Sequence, residues 1–168
     1  MIKFRDIGMF ATAKNDPTIK AHAEIKNGYL CSIAAGKTVA LATDTAAKVA
    51  ELKLAILHHD ADEFAPAKVA KDAYVTVFDV PAWAGQHLIV TEDHLKYAGS
   101  DDYEDLAVGD IFVACDATTD GTMAGGFLGV ATAAGYNTYF TVEGKSILNG
   151  ANAVDLLVHV ASAKSVMA

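Results

Sequence analysis

Proline, cysteine and arginine are scarce in this sequence, which argues against an interdomain linker, a disulfide framework and bidentate binding of phosphate or carboxylate groups. The 168 residues include three prolines and no low-complexity run, so no interdomain linker is visible and one domain is expected. The two cysteines, Cys31 and Cys115, are too few for a disulfide framework and are interpreted as buried free thiols. Arg5 is the only arginine, so bidentate grips on phosphate or carboxylate groups are nearly absent.

Positive charge is missing from the middle of the chain. Residues 97–144 contain no lysine or arginine but eight carboxylates, whereas residues 1–40 carry six basic and three acidic side chains. The net charge of the whole chain is −8. Because nucleic-acid binding depends on clustered cations, this distribution argues against a nucleic-acid partner.

Segments typical of secretion or membrane insertion are also missing. The first six residues carry charge where a signal peptide needs an apolar run. Residues 121–142 lack charge, but five glycines and four threonines interrupt them, and Gly135-Tyr136-Asn137 is typical of a turn. Two strands joined by that turn fit better than a spanning helix, which needs about 20 mostly apolar residues. No membrane partner is expected.

Short runs of β-forming residues make up most of the remaining sequence. Gly, Asn or Asp separates the runs, and this pattern predicts a mainly β fold, an antiparallel β-sandwich or barrel with little helix. Asn27-Gly28 suits a type I′ turn, so the residues that flank it are expected to pair as a hairpin. Further strands are predicted at residues 37–42, 50–58, 73–80, 86–91, 110–115, 127–132, 137–143 and 153–161.

Two segments fit this pattern less clearly. Residues 43–58 are compatible with an amphipathic helix that Asp44 caps, although a turn followed by a strand is favoured. Residues 1–18 carry few apolar side chains and end at Asn15-Asp16-Pro17. The sequence therefore predicts an extended N-terminal arm at residues 1–18 and a single β-rich domain at residues 19–168.

Three stretches share part of a known binding motif. Gly36-Lys37-Thr38 matches the end of a P-loop, but Cys31 stands where its first glycine belongs and a strand is predicted to follow. His58-His59-Asp60 is rich in metal ligands, but adjacent histidines on a strand point to opposite faces. Residues 116–121 resemble the start of a calcium loop, but Phe127 stands where the bidentate glutamate belongs.

No catalytic constellation emerges from the sequence. There is no G-x-S-x-G stretch, and Cys31 and Cys115 lie inside apolar strands, where thiols are usually inert. We therefore expect no enzyme activity, no catalytic residue, no cofactor and no metal site. Trp83, in a corner marked by Pro81 and Gly85, is either a core side chain or an anchor for a protein interface.

Five stretches, taken in order, resemble a family of virus proteins. They are MIKFRDIGMFATAKN, AHAEIKNGYLCSI, VPAWAGQHLIVTEDHL, YEDLAVGDIFVACD and YFTVEGKS. Their order and texture are similar to the small structural proteins that tailed bacteriophages encode near their major capsid protein, in particular capsid decoration (cement) and head-fibre-type proteins. The resemblance covers most of the chain and brings no catalytic residues with it.

The resemblance implies a protein that binds the outside of an assembled capsid and clamps neighbouring capsomers together. It implies the major capsid protein as partner, a homo-oligomeric state, and a place on the exterior of a virion assembled in the host cytoplasm. From residue chemistry, we expect Phe4, Ile7, Phe10 and Trp83 to contribute to a protein interface.

Other functions stay open. A second structural possibility is a tail-tube protein or another virion protein that polymerises with itself. A carbohydrate- or ligand-binding β-sandwich would use Trp83 and nearby tyrosines as stacking surfaces, and a small metal-dependent enzyme would use His58, His59 and Asp60.

Overall fold

Strands account for most of the structure. The computed structural model describes residues 2–4, 20–26, 28–34, 38–42, 52–55, 68–75, 77–99, 101–116 and 124–161. These residues form fourteen strands and two short 3-10 helices, Val80–Trp83 and Glu92–His94, which confirms the predicted mainly β fold with little helix. In chain order the strands are β1 (Ile2–Phe4), β2 (Lys20–Ala21), β3 (Ile25–Lys26), β4 (Leu30–Ala34), β5 (Thr38–Leu41), β6 (Lys53–Ala55), β7 (Lys68–Val69), β8 (Val77–Asp79), β9 (His87–Thr91), β10 (Leu95–Lys96), β11 (Ile111–Ala114), β12 (Phe127–Val130), β13 (Thr138–Leu148) and β14 (Ala151–Val160).

The strands form two large sheets and a two-stranded ribbon. The first sheet has seven strands in the order β1-β9-β14-β13-β11-β12-β10, and the second has five in the order β2-β5-β4-β6-β8. The ribbon pairs β3 with β7. Neighbouring strands are antiparallel as predicted, except that β10 runs parallel to β12 and β2 runs parallel to β5, each over two residues.

The seven-stranded sheet is strongly curved. β9 and β10 are separated by four other strands in its order, a distance of about 24 Å in a flat sheet whose strands lie about 4.8 Å apart. Only the 3-10 helix Glu92–His94 connects the end of β9 to the start of β10, and this connection spans at most about 15 Å. The sheet must therefore curl until β10 approaches β9, which produces a half-barrel.

The main hydrophobic core fills the concave side of this half-barrel. Side chains from most strands of the sheet meet there, and Phe127 and Phe140 pack edge to face with ring centroids 4.9 Å apart. Val154, Leu156 and Val158, alternate residues of β14, are almost fully buried. Successive side chains of a strand point to opposite faces, so each strand has one buried face.

The five-stranded sheet covers the half-barrel and carries a second core on its other face. In β4, Leu30 belongs to the main core, whereas the next residue, Cys31, belongs to the second core. Leu54 and Ala55 of β6 divide between the two cores in the same way. Ile25 of the ribbon joins the second core, so the fold has three layers: half-barrel, five-stranded sheet and ribbon.

β13 and β14 form the longest hairpin and occupy the centre of the seven-stranded sheet. Leu148 pairs with Ala151 across a two-residue turn, in which Asn149 and Gly150 both have positive φ angles, 52° and 80°. This geometry belongs to a type I′ turn, for which Asn-Gly is the preferred pair. The hairpin carries the strand predicted at residues 137–143 on to Leu148.

The hairpin predicted at Asn27-Gly28 is wrong. A turn does occur, since the Tyr29 amide donates to the Lys26 carbonyl oxygen (3.2 Å) and Gly28 has a φ angle of 81°. The flanking strands, however, enter different sheets, because β3 pairs with β7 while β4 pairs with β5 and β6. Residues that favour a turn reverse the chain locally, but packing determines which strands pair.

Other predicted strands are confirmed in part. β4 and β5 pair antiparallel, so a strand and not a helix follows the stretch that resembles a P-loop, as predicted. β6 confirms a strand within residues 50–58, and residues 43–51 lie outside the described part of the chain. In the charge-free segment β12 and β13 are two separate strands, with a turn in which the Tyr136 amide donates to the Ala133 carbonyl oxygen.

Candidate interaction surfaces

The first described residues of the predicted arm lie at the edge of the seven-stranded sheet. β1 pairs antiparallel with β9, and Phe4 lies opposite Leu88. Because β1 is the outermost strand of the sheet, the far side of its backbone faces no other described strand. An edge of this kind is a template for a further strand. Ile7 and Phe10 lie outside the described residues.

Trp83 packs inside its own chain. Its side chain is 4% exposed and belongs to the main core. It ends the 3-10 helix Val80–Trp83, which Pro81 helps to start, and its ring centroid lies 5.7 Å from that of Phe78. Almost none of the Trp83 side chain is therefore exposed for the protein interface that we expected it to join.

Residues 101–110, which we call the acidic loop, form an exposed connection between β10 and β11. Half of its ten residues are carboxylates, all of them exposed: Asp101, Asp102, Glu104, Asp105 and Asp110. Backbone amides hold three of these side chains in place. The Glu104 amide donates to Asp102 (2.8 Å), the Asp102 amide donates to Asp105 (3.1 Å), and the Ala107 amide donates to Asp110 (2.8 Å). Such local bonds fix the directions in which the carboxylates point.

Tyr103 anchors the acidic loop to the β13–β14 hairpin. Its side chain is 9% exposed, and its hydroxyl lies 3.1 Å from the carbonyl oxygens of both Ser146 and Ala153. These two residues face each other across the hairpin. Lys145 adds a second link, because its ammonium donates to the Glu104 carbonyl oxygen (2.7 Å) and lies 5.2 Å from the centre of the Tyr103 ring. The loop is therefore fixed to the most extensive hairpin of the fold.

A cavity of about 270 Å³ opens beside the acidic loop. Asp101, Asp105 and Asp110 line it, and so do the partly exposed apolar residues Leu106, Ile111 and Val130. Negative charge next to apolar surface suits a cationic side chain with an apolar stem, such as lysine.

Two strongly exposed aliphatic side chains belong to the acidic loop and to the hairpin to which it is attached. Val108, in the acidic loop, and Ile147, near the tip of β13, are each 73% exposed. The Gly109 amide donates to the Val142 carbonyl oxygen (2.8 Å), so the loop follows β13 from Val142 to Ser146. This part of the surface combines carboxylates with exposed aliphatic groups, a mixture found at the polar rims and apolar centres of protein interfaces.

Two histidine pairs lie on the convex face of the seven-stranded sheet. His87 Nδ1 lies 2.9 Å from an Asp155 carboxylate oxygen, and His159 Nε2 lies 2.8 Å from the Thr141 hydroxyl. The His159 ring also stacks on Tyr139, with centroids 4.8 Å apart. A nucleophilic relay needs one histidine between a hydroxyl and a carboxylate. Here the carboxylate and the hydroxyl contact different histidines, so neither pair forms that relay.

Asp93 is held in its charged form at the connection between β9 and β10. Its carboxylate accepts a hydrogen bond from the Thr91 hydroxyl and lies 3.1 Å from His94 Nδ1. Partial burial acts to raise the pKa of Asp93, but the hydrogen bonds from Thr91 and His94 and the positive charge of His94 lower it to about 2. These contacts fix the single turn on which the curvature of the sheet depends.

Both cysteines are buried free thiols, as predicted. Burial raises the pKa of the Cys31 thiol to about 12, although the nearby charge of Lys53 acts in the opposite direction. Because the thiolate is the nucleophilic form of cysteine, this environment makes Cys31 unreactive.

The stretches that resemble metal sites lie largely outside the described residues. These are His58-His59-Asp60 and residues 117–123 of the segment that resembles a calcium loop. Within the part of the chain that the structure describes, no group of three or more His, Cys, Asp or Glu side chains is placed to hold a metal ion. The same part contains no helix that is long and apolar enough to cross a membrane.

Sequence reasoning missed the acidic loop as a defined surface. The absence of lysine and arginine from residues 97–144 gave the sign of its charge. It did not indicate the attachment through Tyr103, because the bond partners of that hydroxyl lie 43 and 50 residues away. No protein-family model, curated protein or solved structure matches the chain. Its function is therefore inferred from these surfaces and from the sequence resemblance.

Proposed function

We propose that this protein is a structural component of a phage virion that binds the outer surface of the capsid and stabilises contacts between capsomers. The observation that carries the proposal is the position of β1, in which residues of the predicted arm form the outermost strand of the seven-stranded sheet. The sequence resemblance to capsid decoration and head-fibre-type proteins supports the same role. The partner is the major capsid protein.

β1 offers that partner a strand edge. An extended segment of the capsid protein that lies along β1 gains main-chain hydrogen bonds, as in other cases of strand addition. In an antiparallel strand, successive residues direct their amides to opposite sides. Of Lys3 and Phe4, one therefore faces β9 and the other faces the incoming strand.

A strand of three residues forms few hydrogen bonds, so a single docking event is weak. Many copies on one lattice compensate for this, because each engaged contact raises the effective concentration of the next. Ile7 and Phe10 add apolar groups to the same segment of sequence. The acidic loop suits the solvent side of the particle, where like charges keep neighbouring virions apart.

Co-sedimentation with empty shells assembled from the major capsid protein tests the proposal. The full chain should pellet with the shells in a saturable manner. Lys3→Pro and Phe4→Pro form a matched pair, because one removes the amide that faces β9 and the other removes the outward amide. The variant that lowers the unfolding temperature less is the one with the outward proline. It should bind shells about tenfold more weakly, which corresponds to about 1.4 kcal/mol.

Equal shell binding by both proline variants and the unmodified chain would exclude β1 as the docking strand. Failure of the unmodified chain to pellet with shells would overturn the capsid role altogether. Deletion of residues 1–16 should abolish shell binding while circular dichroism still reports a folded β domain. Electron microscopy of the isolated protein separates the tail-tube alternative, which predicts rings or filaments in the absence of shells.

A further inference from the structure

An Asn-Gly pair forms the tip of the β13–β14 hairpin. Asn149 and Gly150 are both exposed, and no atom lies within 4 Å of the position that a Cβ on Gly150 would occupy. Glycine has no side chain to shield its own amide. The Gly150 amide nitrogen therefore lies in open surroundings, directly after an asparagine in the sequence.

Solvent also reaches Asn149 from a cleft beside the hairpin tip. The cleft has a volume of about 560 Å³, and Asn149 lines it together with Glu92, Asp93 and Asn152. Two carboxylates, those of Glu92 and Asp93, are thus already present around the cleft. A negative charge created at position 149 would be the third.

The other Asn-Gly pair of the chain has a different environment. Gly28 is buried, and its amide donates a hydrogen bond to the Ala55 carbonyl oxygen (2.7 Å). Ala55 belongs to the second core and is fully buried, while Asn27 lies outside the described residues. An amide that is bonded inside a core becomes available only when that core opens.

We propose that Asn149 is a site of spontaneous covalent modification, at which the folded protein loses an amide group and accumulates aspartate and isoaspartate. In the first step the Gly150 nitrogen gives up its proton and forms a bond to Asn149 Cγ. The bond between Cγ and Nδ2 breaks, and the side-chain nitrogen leaves as ammonia with that proton. The product is a five-membered succinimide ring that includes the peptide bond between the two residues.

Water opens the ring in the second step. Attack of water at Cγ breaks the new bond and leaves an ordinary aspartate at position 149. Attack at the backbone carbonyl carbon of Asn149 breaks the original peptide bond instead, and the main chain then runs through Cβ and Cγ as isoaspartate. Overall one water is consumed and one ammonia is released, and nothing is oxidised or reduced.

The type I′ turn sets the pace of the first step. It holds Asn149 at a φ angle of 52° between the paired residues Leu148 and Ala151. Ring closure requires the Gly150 nitrogen to approach Asn149 Cγ, so Asn149 has to rotate out of this conformation. Ala151 and Asn152 are exposed, so the tip can open locally while the rest of the hairpin stays paired.

The modification should weaken the central hairpin. Isoaspartate adds one methylene to the main chain of a two-residue turn, whose geometry fixes the register of the two strands. Leu148, which begins the turn, is buried, so a displaced turn also disturbs its packing. The new carboxylate adds repulsion from Glu92 and Asp93 across the cleft. None of this depends on capsid binding.

Peptide mapping by mass spectrometry during incubation of the full chain at pH 8 tests the reactivity. In the folded protein, Asn149 should be converted about tenfold faster than Asn27, or more, because only the hairpin tip opens without the core. In concentrated urea the two asparagines should react at similar rates. An Asn149 that reacts in urea but stays intact in the folded protein would overturn the proposal. Equal conversion of Asn27 and Asn149 in the folded protein would overturn it too.

Two variants test the effect on the hairpin. Asn149→Gln closes the larger six-membered ring and should stay intact, so its Tm should be the same before and after incubation. Asn149→Asp should keep a Tm close to that of the fresh unmodified chain, because Asp-Gly also suits a type I′ turn. The incubated unmodified chain should unfold about 2–4 °C lower than the fresh one. An incubated chain that contains isoaspartate at position 149 yet unfolds like the fresh chain would refute the weakening of the hairpin. Loss of Tm by incubated Asn149→Gln to the same extent would show that the damage lies elsewhere.

Discussion

Replacing Tyr103 with phenylalanine removes one hydroxyl and leaves the ring in place. That hydroxyl lies 3.1 Å from the carbonyl oxygens of Ser146 and Ala153, and the side chain is 9% exposed, so water does not easily replace it. A bond of this kind contributes about 0.5–1.5 kcal/mol to stability. For 168 residues, an unfolding entropy of about 2.1 cal/mol/K per residue converts 1 kcal/mol into a decrease of about 3 °C in Tm.

Thermal and urea unfolding of Tyr103→Phe measure this effect, and Tyr74→Phe is the matched control. The control removes the same atom from a side chain that is 65% exposed, so its free energy of unfolding should stay within about 0.5 kcal/mol of the unmodified chain. Tyr103→Ala removes the buried ring as well and should cost about 3–5 kcal/mol, as for other large aromatic truncations.

The comparison between the two phenylalanine variants decides whether the Tyr103 hydroxyl stabilises the attachment of the acidic loop. If Tyr103→Phe and Tyr74→Phe unfold at the same temperature, the hydroxyl of Tyr103 does not stabilise the attachment of the acidic loop. If Tyr103→Phe is as destabilising as Tyr103→Ala, the effect belongs to a rearranged loop and not to one hydrogen bond.

Three further predictions concern the turn, the thiols and acid stability. Gly150→Ala should lower the free energy of unfolding by about 1–2 kcal/mol in urea titrations, because a Cβ disfavours its positive φ angle of 80° although no atom lies within 4 Å; an unchanged urea midpoint would contradict this. Cys31 and Cys115 should react with a thiol reagent at pH 8 only after unfolding, because both are buried; rapid labelling of the native protein would show that a thiol is accessible. Asp93→Asn should flatten the decline of stability as the pH falls from about 4 to about 2, because the folded pKa near 2 lies below the ordinary value of 3.8 and the charged form stabilises the fold above that range. The change should stay below about 1 kcal/mol, since the Asp93 side chain is 71% exposed, and identical acid unfolding curves for the two proteins would refute it.

Strand positions were predictable from the sequence because the alternation of side chains is a local property. β9, β11, β12 and β14 lie within the ranges that their apolar patterns indicated, apart from the first two residues of β14. Partner choice was not predictable, because it depends on which buried faces meet. The two Asn-Gly pairs show the difference: only Asn149-Gly150 connects strands that pair with each other.

The curvature of the large sheet was also hidden from the sequence. It follows from the joint positions of β9 and β10, and the pairing of β10 with β12 involves only two residues, Leu95 and Lys96, on its own side. Two residues carry too little pattern to mark a strand. The role of Trp83 was likewise undecidable, because a corner residue between strands packs inward or outward according to what covers it.

The central position of the last hairpin has a consequence for biosynthesis. β9 emerges from the ribosome with residues 87–91, yet its main neighbour, β14, ends at Val160. β11 is likewise translated before β13, its partner on one side. Nascent chains that carry β9, β11 and β12 therefore leave one edge of β9 and one edge of β11 without a partner strand until the hairpin has been translated. It is during this interval that a chaperone would protect the chain from aggregation.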